Sequence, residues 1–195
     1  DSYRRKRDFR KTVEPKGGDV SASENGPRFV IQEHGASSHH FDFRLEVEGV
    51  LRSWAVPKGP STDPRDKRLA MPTEDHPLEY GDFEGVIAEG EYGAGAVLVW
   101  DAGSYRNLKE DDDGNEVPLA DQLADGHATV WLEGEKLRGG YALTRVATGD
   151  DERWLLVKMD DEEADARRNP VSTEPESVKT GRTLEEVAEE EKEEG

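Results

Sequence analysis

Between Gln32 and Arg44 the chain reads QEHGASSHHFDFR, which places His34, His40, Asp42 and Arg44 within eleven residues. Two imidazoles and one carboxylate form a ligand set for manganese, iron or zinc, with coordination positions left for water or substrate. A guanidinium beside them can grip a planar or tetrahedral oxyanion at two points, and phosphate is the natural guest. The plainer alternatives are hydrogen-bonded surface histidines and an ordinary salt bridge from Arg44. Three of the five histidines fall within seven residues, and that clustering favours the metal.

Two strands must position these groups. HHFDFRLEV alternates so that His40, Asp42 and Arg44 share one face, turned to a pocket, while Phe41, Phe43 and Leu45 take the other. RFVIQEH carries Gln32 and His34 at the same two-residue spacing, and Gly35, Ser37 and Ser38 supply a turn between the strands. Folded as a hairpin, the pair brings His34 over His40 and Asp42. His39 then faces the opposite side and is excluded from the ligand set.

Further along, LRSWAVPKG sets Trp54, Val56 and Lys58 on one face, from which Lys58 could reach the rim of the pocket or simply be solvated. MPTEDHPLEYGDFEG adds Glu74, His76 and Tyr80, groups suited to proton transfer or transition-state hydrogen bonds. With three ligands already in the hairpin, His76 is assigned to phosphate contact. GVIAEGEYGAG is glycine-rich but lacks a Walker lysine and reads as tight turns. His127 stands alone and reads as structural; Trp54, Trp100, Trp131 and Trp154 read as packing.

The 195 residues include no cysteine, which excludes disulfides, thiolate ligands and cysteine nucleophiles. No apolar run approaches the roughly 18–20 residues of a membrane span and no signal peptide is visible, so a cytoplasmic location and no membrane partner are expected. The net charge is −19, which argues against a phosphate-backbone partner in general, but the charge is uneven. Residues 1–16 carry seven basic against three acidic side chains, and residues 160–195 carry fourteen acids against five bases. The remaining excess of acids suits a halophile, where near 1 M salt the Debye length is only about 3 Å; an acidic mesophilic protein is the alternative.

Three segments follow. Residues 1–27 form an extended basic arm that packs on the body, and residues 160–195 form an acidic, mostly solvated tail. Between them, residues 28–159 hold nine short runs, FVIQE, HFDFRLEV, VLRSWAV, KRLAM, EGVIA, GAVLVW, ATVWLE, YALTRV and WLLVKM, separated by turns, with a short helix at PLADQLADG. The fold class is mainly β: a small β-barrel with a polar central cavity and a few short helices.

From about Tyr3, through RDFRKTVEP, to about Met159, and most densely over QEHGASSHHFDFRLEVEGVLRSWAVPKGPSTDPRDKRLAMPTEDHPLEYGDFEGVIAEGEYGAG, the chain resembles the 3′-phosphoesterase domain of bacterial DNA ligase D and its free-standing archaeal relatives. PESVKTGRTLEEVA is similar to the segment that follows this domain in some relatives. The resemblance implies a divalent metal, commonly manganese with cobalt or zinc as substitutes, on His34, His40 and Asp42. It implies a phosphate site at Arg44 and His76 supported by Lys58, Arg68 and Tyr80, with Gln32, Glu74, Arg7, Asp8 and Glu14 lining or supporting it. His39 departs from the family's pattern, where an apolar residue is usual.

The implied activity is removal of a 3′-terminal ribonucleoside to leave a 3′-phosphate, then hydrolysis of that phosphate to a 3′-hydroxyl. It would act at primer–template DNA 3′ ends in end joining, beside a separate ligase and polymerase, as a monomer. On the ligand set alone two rivals stand: a non-haem iron oxygenase with Arg44 on a co-substrate carboxylate, and a non-catalytic adaptor that grips a terminal phosphate.

Overall fold

The computed structural model describes residues 26–35, 39–87 and 95–194. Nine strands follow the nine expected runs: β1 Arg28–Gly35, β2 His39–Val47, β3 Val50–Val56, β4 Arg68–Pro77, β5 Gly85–Ile87, β6 Gly95–Asn107, β7 His127–Gly134, β8 Arg138–Ala147 and β9 Arg153–Lys158. The expected helix is α1, Leu119–Ala124, and two more, α2 Pro170–Thr173 and α3 Leu184–Glu194, follow the last strand. A 3₁₀ turn, Leu78–Asp82, separates β4 from β5.

Every pairing is antiparallel, in the order β1-β2-β3-β4-β9-β8-β7-β6, and β1 pairs with β6 to close an eight-stranded barrel. Short β5 is added on β6. The turn between β2 and β3 has two residues, Glu48 at φ 50° and Gly49 at φ 83°, the left-handed pair that matches strand twist in a tight hairpin. It fixes the register, so Arg44 lies opposite Ser53 and Asp42 opposite Ala55. Where β6 passes β7 the backbones approach so closely that a Cβ on Gly103 would sit 2.0 Å from the Glu133 carbonyl oxygen.

The apolar face predicted for β2 lines the barrel interior. Phe41, Phe43 and Leu45 join Phe29, Ile31, Trp54, Trp100, Tyr141, Trp154 and others in one buried cluster drawn from all eight barrel strands. Each fully buried large side chain contributes roughly 1.5–3 kcal/mol relative to exposure. The lumen does not hold the expected polar central cavity: it is filled by the barrel's own inward side chains, which are mostly apolar, with Lys158 buried over the Tyr141 ring among them. The polar set therefore occupies the outer face of β1–β3.

That outer face is itself covered. Val30, Leu51 and Val99 form a second small cluster there with Leu78 of the 3₁₀ turn, Ala102 and Val178. Val178 belongs to the C-terminal segment, most of whose side chains face solvent. Pro170, Ser177 and Val187 are nevertheless buried, and Leu184 packs on the core. Among the described residues, no helix is long and apolar enough to cross a membrane.

Candidate metal and phosphate site

The β1–β2 register places His34 opposite His40 and Gln32 opposite Asp42. The two histidine rings lie 4.9 Å apart between centroids at 61°. His40 Nε2 is 3.2 Å from Asp42 Oδ1, and His34 Nδ1 is 3.9 Å from Asp42 Oδ2. One ligand atom from each of His34, His40 and Asp42 falls within 4.8 Å of the others, as expected for three donors around a single ion. The set is two nitrogens and an oxygen without sulfur, which fits manganese, iron or zinc and does not distinguish among them. His39 points away, its Nε2 2.6 Å from the Glu33 carboxylate.

Arg44 is 3 % exposed, and a buried charge must be paired. Its Nη2 lies 3.4 Å from Asp42 Oδ2, while its Nε donates to Gln32 Oε1 at 2.6 Å and its Nη1 to Ser53 Oγ at 2.7 Å. Burial lowers the pKa of the guanidinium, with Asp42 and Tyr80 acting in the opposite sense; an arginine nonetheless stays charged. Gln32, wholly buried, passes the constraint on: its Nε2 donates to the carbonyls of Tyr80 at 2.8 Å and Phe83 at 3.0 Å.

His76 reaches this face through an irregularity. Ser53 pairs with Thr73 and Leu51 with His76, so Arg52 stands opposite two residues, Glu74 and Asp75. This bulge turns the His76 side chain to the side of Ser53 and Arg44. His76 Nδ1 is 2.9 Å from the Glu74 carbonyl and 3.2 Å from Arg44 Nη1; the first contact requires a proton on Nδ1, the second a lone pair, and the shorter distance favours Nδ1–H donating to Glu74. Burial lowers the His76 pKa against the raising effect of that bond, so the ring is neutral at neutral pH.

Tyr80 closes the site from the 3₁₀ turn. Its ring lies 5.0 Å from Arg44 Cζ, 4.7 Å from His76 and 5.4 Å from Phe83. Burial raises the phenol's pKa, partly countered by Arg44 and reinforced by Asp42, so its proton is retained as a donor.

A profile of the "DNA Ligase D 3′-phosphoesterase domain" matches residues 32–145, from Gln32 through β8. The chain belongs to this family. Among its relatives, the "Multifunctional non-homologous end joining protein LigD" of Pseudomonas aeruginosa is 47% identical over 186 residues, which is 93% of this chain and 21% of that protein. The LigD proteins of Mycobacterium tuberculosis, 47% identical over 80% of this chain, and Mycolicibacterium smegmatis, 44% over 83%, are similarly related. The chain spans about a fifth of the length of these relatives.

The other residues singled out in the sequence are more dispersed. Lys58 is exposed in the turn closed by Gly59 N–H to the Val56 carbonyl. It does not share a face with Trp54 and Val56, which point into the barrel. Arg68 opens β4, its side chain one-quarter exposed and 3.7 Å from Asp66, with its Nε buried and without a hydrogen-bond partner among the described residues. Glu74 contributes its carbonyl while its side chain is exposed. Arg7, Asp8 and Glu14 lie outside the described residues. His127 is exposed beside Thr144, and of the four tryptophans Trp54, Trp100 and Trp154 are core.

Ser53 of this site escaped the sequence reading, although it was legible in principle, because a two-residue turn after Val47 pairs residue 53 with 44.

Proposed function

We propose that this chain is a metal-dependent phosphoesterase that heals DNA 3′ ends in end joining. It removes a terminal ribonucleoside to leave a 3′-phosphate and then hydrolyses that phosphate to a 3′-hydroxyl. The observation that carries this reading is Asp42, which stands in the metal set and also 3.4 Å from Arg44. A phosphoryl oxygen bound by the ion would lie next to a fixed guanidinium.

His34, His40 and Asp42 would hold the ion, manganese by family resemblance, which supplies Lewis-acid polarisation of the phosphate and activation of water. The remaining roles belong to side chains. Arg44, aimed by Gln32 and Ser53, stabilises charge developing on the non-bridging oxygens at no cost of reorganisation. Tyr80 presents a phenolic proton to the same oxygens. His76, neutral with Nδ1–H on Glu74, offers its other ring nitrogen to the reacting oxygens for proton transfer. Lys58 and Arg68 approach the substrate from the rim, and by family resemblance Arg7, Asp8 and Glu14 support the site. A site that recognises an end needs few phosphate contacts, which suits an acidic body.

The test is a labelled primer–template with one 3′-terminal ribonucleotide, incubated with the protein and manganese(II) and resolved over time at several salt concentrations. A shortened 3′-phosphate strand followed by a 3′-hydroxyl strand is expected. Primer bound but unchanged across metals would favour an end-binding adaptor, and oxygen consumption with the same iron-loaded site would favour an oxygenase.

A further inference from the structure

Glu84 lies four residues beyond Tyr80, and its side chain is only 2% exposed. One carboxylate oxygen accepts from Val99 N–H at 2.9 Å and Ser177 Oγ at 2.5 Å. The other accepts from Thr180 Oγ1 and from Arg182 Nη2 at 3.1 Å. Burial raises its pKa, but the bonds from Ser177, Thr180, Val99 and Arg182 outweigh that effect and hold it below the usual carboxylate range.

The segment that supplies three of these donors is a preformed turn. Ser177 Oγ also accepts from the amides of Lys179 and Thr180, each at 3.0 Å, and Ser177 N–H donates to the Arg182 carbonyl at 2.8 Å. It is fastened to the barrel by Val178 N–H to the Val99 carbonyl at 2.9 Å, the same residue whose amide serves Glu84. A second fastening runs to the 3₁₀ turn itself, where Lys179 Nζ donates to the Asp82 carbonyl. The turn then reaches the site: the Tyr80 and Phe83 carbonyls hold Gln32 Nε2, and Gln32 Oε1 holds Arg44 Nε.

We propose that Glu84 is a positioning residue for the phosphate site, locking the Tyr80 turn onto the barrel through a clasp formed by residues 177–182. The clasp lies outside the span matched by the family profile, so the working site extends past that boundary. A carboxylate buried among four donors, three of them from a distant segment, with a turn clamped on both sides, is a device for holding a fixed geometry. The catalytic part of this inference rests on the phosphoesterase reading; the mechanical part does not.

The experiment uses the full chain and Glu84→Gln, which keeps the shape but directs an amide at Thr180 or Arg182. A displacement of about 1 Å caused by a change remote from the chemistry can cost about 10²-fold, so kcat on a 3′-phosphate primer–template should fall by about 10–100-fold, with KM and manganese affinity little changed. In a Gln32→Ala background the same change should cost less than about threefold, because both substitutions act through the support of Arg44. Amide hydrogen exchange at Phe83, whose N–H donates to the Tyr80 carbonyl at 3.0 Å, should accelerate. Unchanged turnover, or equal losses in both backgrounds, would overturn the proposal. Should Glu84→Gln not fold, Thr180→Val removes one donor and must move the same quantities in the same direction. A parent protein inactive on every 3′ end would sink the phosphoesterase reading, and exchange at Phe83 would still decide the clasp: faster exchange in the variant supports it and unaltered exchange refutes it.

Discussion

Asp42 Oδ2 lies 3.4 Å from Arg44 Nη2 and 3.9 Å from His34 Nδ1, so one carboxylate is shared between the candidate metal set and the buried guanidinium. In strand terms the two residues are i and i+2 on the outer face of β2. An oxyanion bridging ion and guanidinium would meet opposite charge on two sides, in a place where burial weakens solvent screening.

Arg44→Lys should therefore cripple turnover even though charge is kept. A lysine cannot reproduce the fork that reaches Gln32, Ser53 and Asp42 together. A loss of about 10²–10³ in kcat is expected, on the scale of removing one transition-state donor, with manganese still bound. Steady-state kinetics paired with a manganese titration checks this, and near-normal turnover would refute the assigned role.

Replacing His34, His40 or Asp42 by alanine should abolish metal binding and activity together, whereas His39→Ala should leave both nearly unchanged, since its ring pairs with Glu33 on the far side. Electron paramagnetic resonance of bound manganese(II) across the four variants tests the assignment. Chelation of the parent protein should halt turnover and added manganese should restore it.

Stability should depend on Glu84 in a pH window of known sign. Its folded pKa is depressed, so the stabilisation is present above the ordinary carboxylate range, about 4.3 for glutamate, and is lost as pH falls through the folded value. The melting temperature of Glu84→Gln should lie below that of the parent at pH 7, and the gap should close in acid. A gap that widens on acidification would contradict the hydrogen-bond arrangement.

Gly103→Ala should be strongly destabilising, because its Cβ would meet backbone at 2.0 Å and no side chain can swing aside. Overpacking of this kind costs at least about 1–3 kcal/mol. Denaturant unfolding of the variant measures it.

Period-2 alternation along HHFDFRLEV determined that His40, Asp42 and Arg44 share one face and that Phe41, Phe43 and Leu45 share the other, and the turn after Gly35 determined that His34 joins the first set. Those relations are local, fixed by backbone geometry within one hairpin, and all nine strands were legible for the same reason. Which face turns inward was not. Both faces of β2 are buried, and closure of the sheet by β1 on β6 selects the apolar one, because the lumen of eight strands is filled mostly by apolar side chains. His76 depended on a bulge opposite Arg52 that reverses strand parity, and Glu84 on partners 93 to 98 residues away. Contacts at that separation leave no trace in the spacing of neighbouring residues and were decided by the tertiary structure alone.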